Sequence, residues 1–576
     1  MKRIAIILSA ACLAALPAGA QQANPADLRF GGLALNHDAM LAWDFSELAR
    51  PQNFGTARAM GMGGAFVSLG ADMTSMSLNP AGLGMYRRSE FSVTPLVSLS
   101  RAETPGTGAW ADNSKNRFAL SNVGAALNVY QSATGSLTSV TIGLGLNRMA
   151  DFNTRYSYSS ETRYDPQSGR AVPSIGDVYI GMFERGQNGG PIFPDRNEDG
   201  GPNGPLAFRD PYFWPAVLGY KTAMIHVAER DNDPATRMWE RDAIGHNASI
   251  LRSVDVINSG SINEFDLSFG ANINNIVYVG ASLGIQSVHK RSDFVYGEDY
   301  GYFDNPNGIA TDKEGAMRPA QLEYSDLWQR VVVDGSGVNF KLGVIVRPVD
   351  GLRLGVAFHT PTFYSLDRSY RAGMDYLLLS NEGDAPLEDR WESPTQYDEG
   401  SDGWEFVSPS RLMFGASYTF GNFAIVSLDY ERDWYNGIRV KNTPAGLDLT
   451  KNDYKADFKQ NFCGTNAVRV GVEVKPLPIF ALRLGGGYTS SMLRDESLAY
   501  EFPQTTTSYY VTAGAGVSLS RSVSLDVAYQ YLSESQSQYR LFYSFDRATE
   551  TFTAASDLYQ TSLTRHFITM TLGFHF

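Results

Sequence analysis

Apolar and polar residues alternate along most of the chain with the period of two expected of a β-strand. Near the end, Ile568, Met570, Leu572, Phe574 and Phe576 fall on one face, and Thr569, Thr571, Gly573 and His575 on the other. The same reading predicts fourteen strands, near 88–100, 118–131, 138–160, 261–273, 276–290, 337–348, 351–366, 408–420, 422–434, 464–476, 479–493, 507–520, 522–545 and 563–576. Most run to ten residues or more, against about 5–6 in globular sheets and about 9–11 for a tilted membrane-spanning strand. A bare apolar strand at the end of a soluble sheet would pair with any neighbour. In a closed barrel it pairs with the first strand, and its apolar face meets lipid. The predicted fold is therefore all-β: a transmembrane antiparallel β-barrel.

The connections support this. Tight turns are predicted at Ser132–Leu137, Asn274-Asn275, Val349-Asp350, Gly421, Pro476-Leu477-Pro478 and Ser520-Arg521. Long polar segments alternate with them, the longest at 161–260. Short turns at one end and long loops at the other are expected of an outer-membrane barrel, with both termini at the short-turn, periplasmic end. The alternation also assigns the faces. A one-residue slip would turn Arg353, Arg469 and Asp526 toward lipid, costing about 2–4 kcal/mol for each arginine near the midplane. The charged set belongs to the lumen.

Lys2 and Arg3 precede an apolar run, Ile4 to Leu16, and Ala18-Gly19-Ala20 follows, the pattern of a secretory signal over 1–20. Cys12 falls inside that run, which leaves Cys463 as the only cysteine of the mature chain and rules out an internal disulfide. A net charge of −13 argues against nucleic acid as a partner. Thirty Tyr and 32 Phe suit interfacial aromatic girdles.

Residues 21–86 do not alternate. Gly61 and Gly63 hint at a dinucleotide loop, but Phe66 stands where the third glycine belongs and no βαβ unit surrounds it. The glycines are better suited to close packing inside a barrel mouth. The run Ala59-Met60-Gly61-Met62-Gly63-Gly64-Ala65-Phe66-Val67, then Asp72, then Asn79-Pro80-Ala81-Gly82-Leu83, resembles the N-terminal hatch of the FadL/TodX family of outer-membrane transporters for hydrophobic compounds. The hairpins Phe340–Pro348 with Leu352–Val356, and Val468–Val472 with Leu482–Tyr488, are similar to that family too. The resemblance implies a monomeric fourteen-stranded barrel over 87–576, plugged by a hatch at 21–86, in the outer membrane of a Gram-negative bacterium. It implies capture of a hydrophobic small molecule at the outer loops, most simply a long-chain fatty acid, and lateral release when the hatch shifts. Membrane lipid, lipopolysaccharide and the barrel-assembly machinery are the other expected partners.

Asn79, Pro80, Ala81 and Gly82 match the hatch motif, either as a gate or as a turn needed for folding. Arg353, Arg469 and Arg483, with Lys341 and Arg347, are lumen cations that can hold a carboxylate or join ion pairs with Glu473 and Asp526. In the longest loop, Phe213, Trp214, Val217 and Leu218 form either an exposed capture groove or a small core holding the loop together. Asp195-x-Asn197-x-Asp199-Gly200 starts like a calcium loop, but Leu206 stands where the bidentate glutamate belongs. No metal or cofactor is expected. Lys451, Lys455 and Lys459 read as a solvated helical face. Other readings are uptake of haem or aromatic compounds, and an adhesion barrel working through its loops. Energised receptors for large cargo have about 22 strands, and no paired haem-ligating histidines are evident here. A lipase or protease would need a nucleophile, base and orienter, and no spacing singles out such a trio.

Overall fold

A computed structural model describes residues 28–576 except 36, 109–110, 187–190, 194–207, 229–233, 242, 246–247, 302–308, 312–316, 381–385, 448, 495–505 and 535–537. The signal at 1–20 and the calcium-like loop at 195–206 lie outside the described residues. Fourteen antiparallel strands form the wall: β1 (Glu90–Glu103), β2 (Ser114–Gln131), β3 (Leu137–Asp151, continued by Thr154–Thr162), β4 (Ile250–Ile273), β5 (Val277–Asp299), β6 (Met317–Val349), β7 (Leu352–His359, continued by Phe363–Ser380), β8 (Arg411–Phe420), β9 (Ala424–Trp434), β10 (Gly464–Leu477), β11 (Phe480–Thr489), β12 (Ser508–Ser518), β13 (Val523–Glu534) and β14 (Ser562–His575). Each pairs with the next, and β14 closes the ring on β1 through Glu90↔His575 to Glu103↔Ser562. The ring therefore has no edge strand, as a spanning sheet needs if its backbone is to be satisfied without water.

The faces fall as the alternation predicts. Ile568 and Met570 are 42% and 45% exposed, while Thr569 between them is 1% exposed. Similar apolar side chains, among them Leu342, Val356, Leu428 and Val470, make an exposed belt around the barrel. The short turns fall where expected. Asn274 and Asn275 both take left-handed conformations, φ 53° and 56°, which asparagine tolerates and a tight hairpin needs.

The strands differ from prediction at the other end. β4, β5 and β6 have 24, 23 and 33 residues and rise far above the apolar belt. The segments 250–260, 291–299 and 317–336 were expected to be loops. Outside the belt, charged residues such as Arg291, Asp293 and Arg330 replace the apolar outer face, so alternation weakens while the ladder continues up to Asp299↔Tyr324. Two predicted strands are interrupted: 138–160 at Phe152-Asn153, and 351–366 at Thr360-Pro361-Thr362. Proline has no N–H for the ladder. The predicted strand 522–545 stops at Glu534.

Above the wall, helices α4 (Ile175–Arg185) and α5 (Trp214–Lys221) pack with strand extensions into a large apolar cap. Its polar anchor is Glu298, whose carboxylate accepts from Ser174 Oγ (2.5 Å), Ile175 N (3.0 Å), Tyr296 OH (2.6 Å) and Tyr300 OH (2.8 Å), tying the start of α4 to β5. A lower apolar layer joins α1 (Ala42–Leu48) to α6 (Lys451–Asn461). Tyr454 and Phe458 of α6 are buried, and Lys451, Lys455 and Lys459 face solvent, as the sequence implies.

The first described residues and the last lie at opposite ends of the barrel. Phe576 lies at the short-turn end, bonded through its N–H to Ser89 O (3.0 Å). Leu28–Gly31 instead pairs with Tyr543–Asp546, in the long connection between β13 and β14 at the opposite end. The described chain thus starts at the long-loop end and descends through the lumen. Buried anchors hold this path: Ala34 and Leu35 in the cap, and Met40 and Phe45 in the lower layer. A cysteine replacing exposed Arg29, in a Cys463→Ser background, should react in intact cells with a membrane-impermeant maleimide, and one replacing Arg521 should not. Equal labelling, or labelling of 521 alone, would contradict this path.

Candidate functional site

The segment from Phe54 to Tyr86 occupies the lumen. Helix α2 (Ala57–Gly61) is capped by Thr56, whose hydroxyl accepts from Ala59 N and donates to the Asp72 carboxylate at 2.8–2.9 Å. Asp72 also accepts from Thr74 N (2.9 Å). Burial raises the Asp72 carboxyl, opposed by Arg58 and these hydrogen bonds. Helix α3 (Ser75–Leu78) leads into Asn79 and the 3₁₀ turn Pro80–Met85. Asn79 accepts from Ala81 N (3.1 Å) and donates to Val67 O (2.6 Å), fastening the two halves of the segment. Asn79, Pro80, Ala81 and Gly82 are all buried, with proline at the first helical position where a missing N–H costs nothing.

The wall receives this segment through inward-facing glycines. A methyl group on Gly280 would overlap Pro80, on Gly343 Asn79, on Gly355 and Gly415 Val67, and on Gly471 and Gly485 Met62. These glycines come from six strands of the arc β5 to β11, and methyl groups on Gly143 of β3 and Gly270 of β4 would likewise overlap Met76 and Leu83, so the segment lies within the ring. Polar contacts add to the fit: Val67 N donates to Asp429 (2.8 Å), Ala57 N to Thr571 (2.7 Å), and Tyr510 OH to Gly63 O (2.8 Å). In the sequence, each repeated Arg/Lys-x-Gly triplet places a cation and a glycine on the same inner face. The glycine's role as a seat was not read from it.

The wall has one interruption in this region. β2 and β3 pair only from Asn122↔Asn147 to Gln131↔Ser139, whereas β2 continues to Ser114. Above that level β3 leaves β2, stays with β4, and breaks at Phe152-Asn153, where Asn153 N donates to the Asp151 carboxylate (3.0 Å). The freed backbone of Asp151 is taken by the inner segment. Gln52 Nε2 donates to Asp151 O (3.2 Å), and Asp151 N donates to Gln52 Oε1 (3.1 Å). Gly260 opposite has φ 120°, and a Cβ there would overlap His289 O, so the break requires glycine. On the outer face of unpaired β2, Phe118 is 71% exposed beside Leu120.

A packed apolar core reaches this opening. Phe152 and Ala150 belong to the same buried cluster as Phe45, Trp404, Phe406 and Phe458. Val331 packs on both that cluster and the cap above it. Packed apolar side chains therefore run from the cap to the break in the wall. The lumen below is polar by contrast. Lys341 pairs with Glu264 and with Asp266 (2.6 Å); Arg411 pairs with Glu431 (2.6 Å). A cavity of about 270 Å³ under α2 is lined by Arg58, Asp72, Glu90, Lys475 and Asp526 among others.

The predicted ligand residues are scattered. Arg483 bridges Glu473 (2.6 Å) and Asp526 (2.5 Å), the ion-pair alternative. Arg469 pairs with Glu431 (2.7 Å) beside a cavity of about 60 Å³, too small for an acyl chain. Arg353, on β7, makes no ion pair among the described residues. Phe213, Trp214, Val217 and Leu218 are buried in the cap, with Trp214 stacked on Tyr370 at 5.4 Å. They do not form an exposed groove; the small-core alternative is the observed one, because a connection this long must bury its own apolar side chains. Gln52, Asp151 and Phe152 were missed, although Asp151-Phe152-Asn153 was visible as a polar interruption of a strand.

No family model matches the chain, and no curated protein matches it in sequence. Among solved structures, a Pseudomonas aeruginosa FadL homologue is similar at 11% identity over 91% of this chain and 99% of that one, with a TM-score of 0.51. The Pseudomonas putida toluene transporter TodX (11% identity, 90% and 98% covered, TM-score 0.44) and the Ralstonia pickettii toluene transporter TbuX (14%, 91% and 99%, 0.44) are looser matches. At this identity the likeness to the FadL homologue is one of fold: a closed fourteen-stranded transmembrane barrel.

Proposed function

We propose that this chain carries hydrophobic compounds, long-chain fatty acids foremost, across the outer membrane of a Gram-negative bacterium without doing chemistry on them. The observation that carries the reading is the continuous buried apolar core from the cap to Phe152, ending where β3 leaves β2, along which cargo would pass. Each CH₂ transferred from water into such surroundings gains about 0.8 kcal/mol, and the ion-paired lumen below offers an acyl chain no such gain. Residues 21–86 act as the hatch, and Asn79, Pro80, Ala81 and Gly82 hold it seated. The cap captures cargo through movement of its apolar core, which includes Phe213, Trp214, Val217 and Leu218. Release is lateral, into lipid, between β2 and β3. Arg469 and Arg483 hold the lumen closed as ion-pair partners, while Arg353 is left to meet an anion. The protein works as a monomer, amid lipopolysaccharide, after insertion by the barrel-assembly machinery.

Uptake of labelled long-chain fatty acid by cells with and without the protein tests this, with toluene, hemin and a small hydrophilic solute as comparison cargos. Faster uptake of the fatty acid but not of hemin or the hydrophilic solute is expected. Toluene alone responding would move the cargo to aromatic compounds, and no response to any hydrophobic cargo would overturn transport.

A further inference from the structure

The opening between β2 and β3 is crossed by cations. Above the end of the ladder, inner and outer faces of β2 follow from its pairing with β1: Arg117 opposes Ser98, and Lys115 opposes Ser100, both serines buried. Arg117 and Lys115 therefore point inward beside the gap, while Phe118 and Leu120 point outward, and the gap ends just above Lys115, where Ser157 N donates to Asn113 Oδ1 (2.8 Å). Lys115 Nζ reaches across to Asn258 O on β4 (2.7 Å). Arg148 of β3 reaches back, donating from Nε to Leu120 O (3.1 Å) and from Nη1 to Asp151 Oδ2 (3.1 Å). Arg117 is exposed between them, makes no ion pair among the described residues, and lies within electrostatic reach of both. Among the described residues, Asp151 is the only carboxylate that forms an ion pair with any of the three.

Two of these side chains spend a strong donor on a backbone carbonyl, and the third has none of its charge balanced. A path for neutral hydrocarbons alone would be better lined with apolar residues. A carboxylate at the head of an acyl chain supplies what is missing: two oxygens for the free guanidinium donors of Arg117 and Arg148 and for the Lys115 ammonium.

We infer that Lys115, Arg117 and Arg148 form a cationic sill at the wall opening, which holds the carboxylate of an amphiphilic cargo as its chain slides between Phe118 and Phe152 into lipid. The inference rests on the proposed lateral passage and adds head-group selection to it.

The test compares palmitate with palmitic acid methyl ester, equal in chain length but without charge, in cells making the wild-type protein or the Lys115→Gln/Arg117→Gln/Arg148→Gln variant. Folding is checked by the heat-dependent shift of the barrel in electrophoresis, and Arg117→Lys serves as the conservative variant. Palmitate uptake should fall about tenfold in the triple variant, as loss of a charge-assisted contact implies. Ester uptake should stay unchanged, and Arg117→Lys should keep most palmitate uptake. An equal fall for both cargos would make the three side chains mere latches and overturn the sill, as would unchanged palmitate uptake. Loss of co-purifying phosphorylated lipid with palmitate uptake intact would assign the cations to a resident lipid head group and also overturn it. Wild-type cells that take up neither cargo faster than cells without the protein would instead defeat the transport reading itself.

Discussion

Deleting residues 55–85 is expected to turn the barrel into an open pore. The wall closes without them, through β1–β14 pairing and thirteen further ladders, so a folded ring should survive. What goes is the material that touches inward glycines on six strands and fills the lumen beside cavities of about 60 and 270 Å³. A ring of this size lies between the filled eight-stranded barrels and the 16–18-stranded porins that enclose aqueous channels. Cells making the deleted form should become sensitive to a large hydrophilic antibiotic such as vancomycin, and the purified form should give stable ion conductance in planar bilayers. A subtler version uses Gly471→Leu, whose side chain would occupy the place of Met62 and should unseat the segment without shortening the chain. If both variants fold and neither leaks, the segment is not what closes the lumen.

Replacing Lys341 by methionine should be the most destabilising single change in the lumen. Its ammonium is buried with Glu264 and Asp266, and both carboxylates also accept from neutral donors: Gln286 (2.8 Å) and Asn339 (2.7 Å) on Glu264, and Asn147 (2.7 Å) and Ser282 (3.1 Å) on Asp266. Methionine fills the space but leaves two buried negative charges facing each other. Breaking a buried ion pair from one side costs about 3–5 kcal/mol. Urea titration of the barrel in detergent should show the midpoint drop, and a Lys341→Met/Glu264→Gln/Asp266→Asn triple variant should recover most of it. A single variant as stable as the parent would mean that water already reaches these groups.

The barrel was readable because lipid imposes a strict rule. Where a strand crosses the apolar belt, every second residue must be apolar, and Val468 to Val474 or Ile568 to Phe574 obey it at every step. Once the strands rise above the belt the rule lapses, and 317–336 looks like loop although it is part of the longest strand. The hatch-like motif was equally legible, since glycine and Asn-Pro choose backbone conformations locally. The ion pair of Arg483 with Glu473 and Asp526 was also anticipated, because alternation alone places the three on one face.

By itself, then, the sequence determined the things set by local rules: strand period, face, turn chemistry, and the polar inner lining. Only the tertiary structure decided the rest. Ladder register between strands far apart in sequence shows that β3 abandons β2 above Asn122 and that Gln52 takes up the freed backbone of Asp151. Pairing of Leu28–Gly31 with Tyr543–Asp546 shows that the inner segment descends from the long-loop end. Burial of Phe213 and Trp214 shows a packed cap in place of an open groove. Each depends on which distant backbone or side chain satisfies a group left over by local structure, and an alternating pattern carries no record of that partner.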